Sequence, residues 1–335
     1  MSMANIGRYE MYYNRTLSSE FSKLIEPGGK LRWLFKFVKN HNELDFLLGK
    51  NGSKQWISIY RGLTRILEIN PTKDPKIIHI VADKKYKEME SELYGKKNIN
   101  DNFETNIKRL VKHIENDSHF DRYYKNKKEG YYQNILSNKH GICGNPDTDF
   151  VIIDKEAVIG YKDEQENNRL LGPIQNKYKQ MQKYISANNP KRYGKSLKKK
   201  AIGNELDFLA LDKEGNILLI EYKHGTYTSG IYLSPLQIGL YYDIFTNFPR
   251  EDLEHAIYDM LAQKKKIGLI NPGWKTPTKL KEIIPVLIIS EYSYRSSSKI
   301  KFDEILQLAK EINGKDFLRN LRTYNFTEKN GLSEW

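Results

Sequence analysis

Gly203-Asn204-Glu205-Leu206-Asp207-Phe208, Asp212-Lys213-Glu214-Gly215-Asn216 and Ile220-Glu221-Tyr222-Lys223 decide how this chain is read. The two apolar runs, Leu206–Leu211 and Ile217–Lys223, read as strands joined by a turn. Lys213-Glu214-Gly215 suits a three-residue loop, a type I turn closed by Gly215 in the left-handed region. That closure pairs Asp212 with Asn216, so the ladder sets Asp207 opposite Glu221 and Glu205 opposite Lys223. Opposed residues share a face, and all four side chains then project together. A two-residue loop, Glu214-Gly215, would put Asp207 opposite Tyr222 and scatter the cluster. Hydrophobic pattern does not choose between the two. Leu209, Leu211, Ile217 and Leu219 make one face apolar, and Phe208, Ala210, Leu218 and Ile220 the other. Such a sheet is covered on both sides, where charges are costly unless paired or bound to metal.

Two carboxylates at one end of a buried hairpin form a hard oxygen site suited to Mg²⁺ or Mn²⁺. Such a metal neutralises a phosphate and lowers the pKa of a bound water, and Lys223 would hold that nucleophile and offset developing charge. The competing reading is a salt-bridged hairpin in which Lys223 pairs with Glu205 or Glu221. Asp207 followed by a strand–turn–strand gap and Glu221-x-Lys223 resembles the core of the PD-(D/E)XK nuclease superfamily. Gln237-Ile238-Gly239-Leu240-Tyr241, starting 14 residues after Lys223, is similar to the Gln-x-x-x-Tyr motif of RecB-type members. Gln237 and Tyr241 stand one helical turn apart and can address one site. The resemblance covers about 165–290. It implies a restriction-endonuclease-like mixed sheet flanked by helices, a divalent metal and phosphodiester hydrolysis, with Glu205, Gln237 and Tyr241 in support. Leu206 stands where the superfamily's name-giving proline would precede Asp207. An extra acid on the first helix has candidates in Glu164 and Glu166.

Outward from the hairpin, residues 165–187 read as a helix with Leu170, Ile174, Tyr178, Met181 and Ile185 in a stripe, and further helices are expected over 234–247, 251–265 and 303–313. A strand is expected over Ile284–Ser290, giving an α/β layer. Upstream, Leu31–Lys39, Leu44–Leu48, Trp56–Ile69 and Ile77–Ala82 read as strands of an antiparallel meander, with a turn at Asn51-Gly52. Asn102–Ile114 has a helical stripe, and Tyr123–Asn138 shows no clear period. Two domains are expected, a β-rich one over 1–162 and a nuclease-like one over 163–335.

The 335 residues carry 55 Lys and Arg against 42 Asp and Glu, a net charge of +13 that favours a polyanionic partner. The run Lys191-Arg192, Lys195, Lys198-Lys199-Lys200 feeds into the first strand of the hairpin and is the candidate for phosphate contact. Other signals are weaker. Pro146-Asp147 is a literal "PD", but glycine stands where the acid is needed in Gly160-Tyr161-Lys162. Gly194-Lys195-Ser196 lacks the earlier glycine of a P-loop. The seven histidines have no zinc spacing, and His224 reads as a partly exposed strand end. One cysteine, Cys143, excludes an intramolecular disulfide. No apolar run is long enough for a membrane span, and residues 1–20 do not read as a secretory signal. The expectation is a cytoplasmic, metal-dependent nuclease acting on nucleic acid, DNA ahead of RNA, with room for a homodimer. The alternative is a non-catalytic nucleic-acid-binding or scaffold protein that keeps the fold.

Overall fold

The computed structural model describes residues 11–74, 76–99, 101–141 (101 in its backbone only), 146–189, 191–193, 203 and 205–335. It is a mixed α/β structure with several sheets flanked by helices. The chain divides into two compact units. One, the meander unit, is Asn14–Ile153 with Ala256–Thr276; the other, the mixed-sheet unit, is Met1–Tyr13, Asp154–His255 and Pro277–Trp335. These points differ from the expected break at 162/163. Two elements account for the difference, since each runs across a division.

The first described strand, β1 (Met11–Tyr12), belongs to the mixed-sheet unit. The meander unit then begins with α1 (Ser19–Ser22) and α2 (Arg32–Lys39). The second of these corrects the expected strand at Leu31–Lys39. Leu31, Leu34, Phe35 and Val38 are all buried, and their spacing is that of one helix face. Strands β2 (Asp45–Asn51), β3 (Lys54–Arg61), β4 (Thr64–Pro71) and β5 (Ile77–Val81) follow. The expected run Trp56–Ile69 is thus two strands broken at Gly62, which has φ +63°. After α3 (Lys84–Lys87), β6 (Gly95–Asn98) completes a five-stranded antiparallel meander in sequence order. Next comes α4 (Asp101–Asn116), on which Phe103, Ile107, Leu110, Val111 and Ile114 are buried as the stripe predicts. These residues, α2 and one face of the sheet build the unit's apolar core.

A helix, α5 (Lys128–His140), occupies the stretch that has no clear period. Its buried positions include Gly130, Gln133, Asn134, Ser137 and His140, so a hydrophobic count cannot see its inner face. Strand β7 (Phe150–Ala157) crosses from the meander unit to the mixed-sheet unit between Ile153 and Asp154. There β8 (Gly160–Tyr161) pairs with β1, and α6 (Glu164–Asn188) runs through Pro173.

Strands β9 (Leu206–Asp212) and β10 (Ile217–His224) form the hairpin, and α7 (Thr228–Asn247) and α8 (Arg250–Ile267) follow. The start of α7 precedes the expected 234; it continues through Pro235 because it is buried on nearly every side. The second half of α8 returns to the meander unit, where Ile267 and Leu269 join the apolar core. Gln263 there trades two hydrogen bonds of 2.9 Å with the backbone of Leu17. Strand β11 (Ile283–Ser290), helix α9 (Ser298–Asn313) and strands β12 (Arg322–Thr327) and β13 (Gly331–Glu334) close the chain.

The sheet of the mixed-sheet unit has the order β13-β12-β11-β10-β9-β7. Strand β11 is parallel to both β10 and β12, while β9 runs antiparallel to β10 and β13 antiparallel to β12. Every residue of β10 and β11 is buried, as central strands covered on both faces require. Helix α7 packs on those two strands, and α6 and α9 pack on α7. Among the described residues, no helix is long and apolar enough to cross a membrane.

Candidate active site

The turn fixes the hairpin. Asp212 Oδ1 accepts from the backbone N–H groups of Glu214 (3.0 Å) and Asn216 (2.7 Å), and Asp212 Oδ2 accepts from Asn216 Nδ2 at 2.8 Å. Gly215, at φ +95°, donates to Asp212 O at 3.2 Å. A Cβ there would lie 2.3 Å from Lys279 O, so this position demands glycine. The ladder runs Ile217↔Leu211, Leu218↔Ala210, Leu219↔Leu209 and Ile220↔Phe208, the register that the three-residue loop predicts. One step beyond its last pair stand Asp207 and Glu221.

Lys223 draws these two together. Its Nζ is ion-paired with Glu221 Oε1, lies 3.9 Å from Asp207 Oδ2 and donates to Tyr222 O at 2.9 Å. Asp207 Oδ2 also accepts from the N–H of Tyr222 at 2.7 Å, which anchors the carboxylate across the hairpin. The Glu221 side chain is 0% exposed and that of Lys223 8%, whereas that of Asp207 is 22% exposed and opens the cluster to solvent. Glycine at 230 makes room for this arrangement, because a Cβ there would meet the Tyr227 ring at 2.3 Å and Lys223 Cδ at 3.0 Å.

Gln237 and Tyr241 approach the same end of the hairpin from α7. Gln237 Nε2 donates to Tyr241 Oη at 2.8 Å, and the Tyr241 hydroxyl donates to the backbone carbonyl of Glu205. Burial, and then the charges of Glu221, Asp207 and Glu205, push the Tyr241 phenol far above its ordinary range. It remains a donor at any ordinary pH and pins the start of β9. Glu205 itself is exposed.

Other candidates lie elsewhere. Glu166 pairs with Arg169 at 2.6 Å in the first turn of α6 and gives its N–H to Asp163. His224 is buried rather than partly exposed, with Nδ1 2.8 Å from Thr226 Oγ1. Of the basic run, Lys191 is exposed, and Arg192 is paired with Glu304 at 2.8 Å. Lys195, Lys198, Lys199 and Lys200 lie outside the described residues. Tyr227, exposed beside the Lys223 stem, went unread because an isolated tyrosine carries no spacing signal.

Among the described residues, no three His, Cys, Asp or Glu side chains converge as they would in a closed metal cage. The oxygens that do converge are the carboxylates of Asp207 and Glu221, with the Tyr222 carbonyl also on the Lys223 ammonium. Mg²⁺ keeps several waters and is commonly held by one or two carboxylates, so this donor set suits it. No family model, curated protein or solved structure matches the chain.

Proposed function

We propose that this protein is a metal-dependent nuclease with a restriction-endonuclease-like catalytic unit, hydrolysing phosphodiester bonds of nucleic acid, DNA ahead of RNA. The observation that carries this reading is the ammonium of Lys223 set against both Asp207 and Glu221 at the end of a buried hairpin. Asp207 and Glu221 would hold Mg²⁺ or Mn²⁺. Bound there, the metal supplies charge to neutralise the scissile phosphate and acidify a water. Asp207, the more open of the pair, faces the side from which a phosphate arrives. Lys223 holds the attacking oxygen and offsets the negative charge that grows as that oxygen bonds to phosphorus and one P–O ester bond breaks. Gln237 and Tyr241 hold the Glu205 backbone, and with it Asp207, in place.

Cleavage of single- and double-stranded DNA and of RNA, with Mn²⁺ and with EDTA, tests the reading. Activity should require the metal. Asp207→Ala should abolish it, and Lys223→Ala should cost on the order of a hundred- to a thousandfold while sparing metal binding. A second reading, a nucleic-acid-binding or scaffold protein that keeps the fold, is favoured by the direct Lys223–Glu221 pair, which can satisfy both charges without metal. Calorimetry separates the two. Mn²⁺ binding that is lost in Glu221→Ala supports the nuclease, and its absence from the parent leaves only the salt-bridged hairpin.

A further inference from the structure

The meander unit carries most of the chain's net charge. It holds 29 Lys and Arg against 19 Asp and Glu, a net +10, whereas the mixed-sheet unit holds 26 against 23, a net +3. One face of its sheet is packed on the core. On the other, the register aligns a row of side chains across all five strands: Gly49↔Trp56, then Asn70↔His79, then His79↔Lys96. Trp56 and Asn70 fall opposite each other because the ladder between β3 and β4 pairs Ile57 with Ile69. The indole of Trp56 lies over Gly49, where a Cβ would come within 2.0 Å of the ring. It therefore rests flat on the sheet, half-buried, with Asn70 half-buried and His79 and Lys96 exposed beyond it. Glu68, which neighbours Asn70 on this face, is taken up by Arg65 and by Asn70 Nδ2 at 3.1 Å. The row ends at a cavity of about 390 Å³ whose lining includes Lys96, Lys97, Asn98, Asn102 and Asn106, together with Glu92.

We propose that this open sheet face, from Trp56 to the cavity beyond Lys96, binds single-stranded nucleic acid. A flat indole offers a stacking surface to any base, and the sheet stiffens it at no further cost in entropy. The ammonium groups of Lys96 and Lys97 suit phosphates, and the asparagine amides both donate and accept, as base edges require. Three interstrand steps separate Trp56 from Lys96, about 14 Å, a footprint for a short run of nucleotides. A duplex keeps its bases stacked on each other and gives Trp56 nothing to stack on.

This inference does not rest on the catalytic reading, and its test avoids cleavage. Fluorescence anisotropy of a labelled oligothymidylate of about ten nucleotides is measured against the full chain carrying Asp207→Ala, in EDTA. Trp56→Ala should weaken binding by roughly five- to a hundredfold, and Trp56→Phe should restore most of it. Lys96→Gln, at an exposed position that cannot disturb folding, should flatten the salt dependence by about 0.7 in log–log slope. Binding by folded Trp56→Ala and Lys96→Gln equal to that of the parent would overturn the proposal. Tighter binding of a duplex of the same length would overturn it too.

Discussion

The two sheets of this protein treat charge in opposite ways. In the mixed-sheet unit, Glu221 and Lys223 sit on a strand buried along its whole length and satisfy one another at its end. In the meander unit, one face of the sheet is packed on the apolar core; the other is covered at Asp45 and Ser58, where α5 packs, and displays Trp56, His79 and Lys96 beyond them. Arg61, a buried cation of that unit, is held by Glu43 at 2.7 Å and stacked over Tyr124 at 4.6 Å. A buried charge is expensive, precisely placed and weakly screened, which suits chemistry on one bond. Surface charge is cheap, numerous and screened by salt, which suits holding a long polyanion.

The largest expected effect tests whether the buried pair is as costly as this contrast says. Glu221→Ala in metal-free buffer leaves Lys223 buried against Asp207 alone, and should cost about 3–5 kcal/mol of stability. Trp33, Trp56 and Trp274 belong to the meander unit, so tryptophan fluorescence reports mainly there, while circular dichroism reports both units. In urea, the dichroism transition should move and part from the fluorescence transition. Coincident, unmoved curves would show that the pair contributes little.

The next effect belongs to the meander unit. His140 is stacked on Phe150 with ring centres 4.2 Å apart, and burial pushes its imidazole down to about 4. Because the unfolded chain takes up the proton first, near pH 6.5, stability is full above that value and falls as the pH drops toward 4. Between pH 7 and 5 the loss should be about 2 kcal/mol, and His140→Phe should remove it from fluorescence-monitored unfolding. An unchanged pH slope in the variant would assign the titration elsewhere.

The smallest effect lies at the edge of the candidate site. Gln237→Ala removes the donor to the Tyr241 hydroxyl but leaves that hydroxyl on Glu205 O, and should cost about 1 kcal/mol. Cleavage should then fall tenfold or less. A loss as large as that of Lys223→Ala would place Gln237 on the substrate rather than behind Asp207.

What the sequence by itself determined was local. Asp212, Gly215 and Asn216 close the turn among themselves, so counting outward from the loop places Asp207 across from Glu221. The stripe of α4 and the apolar run of β11 were legible for the same reason, because each element's own residues carry its period. Leu31–Lys39 was misread because its apolar residues fit a strand's alternation as well as a helix face, and only packing chose the helix. The rest was decided by tertiary structure. Helix α5 buries glutamine, asparagine, serine and histidine, which no hydrophobic pattern announces. The polar strand β12 exists because β11 offers it a parallel edge, and β13 in turn pairs antiparallel with β12. The end of α8 returns to a core built more than a hundred residues earlier, and Trp56 meets Asn70, His79 and Lys96 only when four strands are in register. Turn chemistry acts over a few bonds and is written in adjacent letters; these contacts join distant segments, and burial alone selects them.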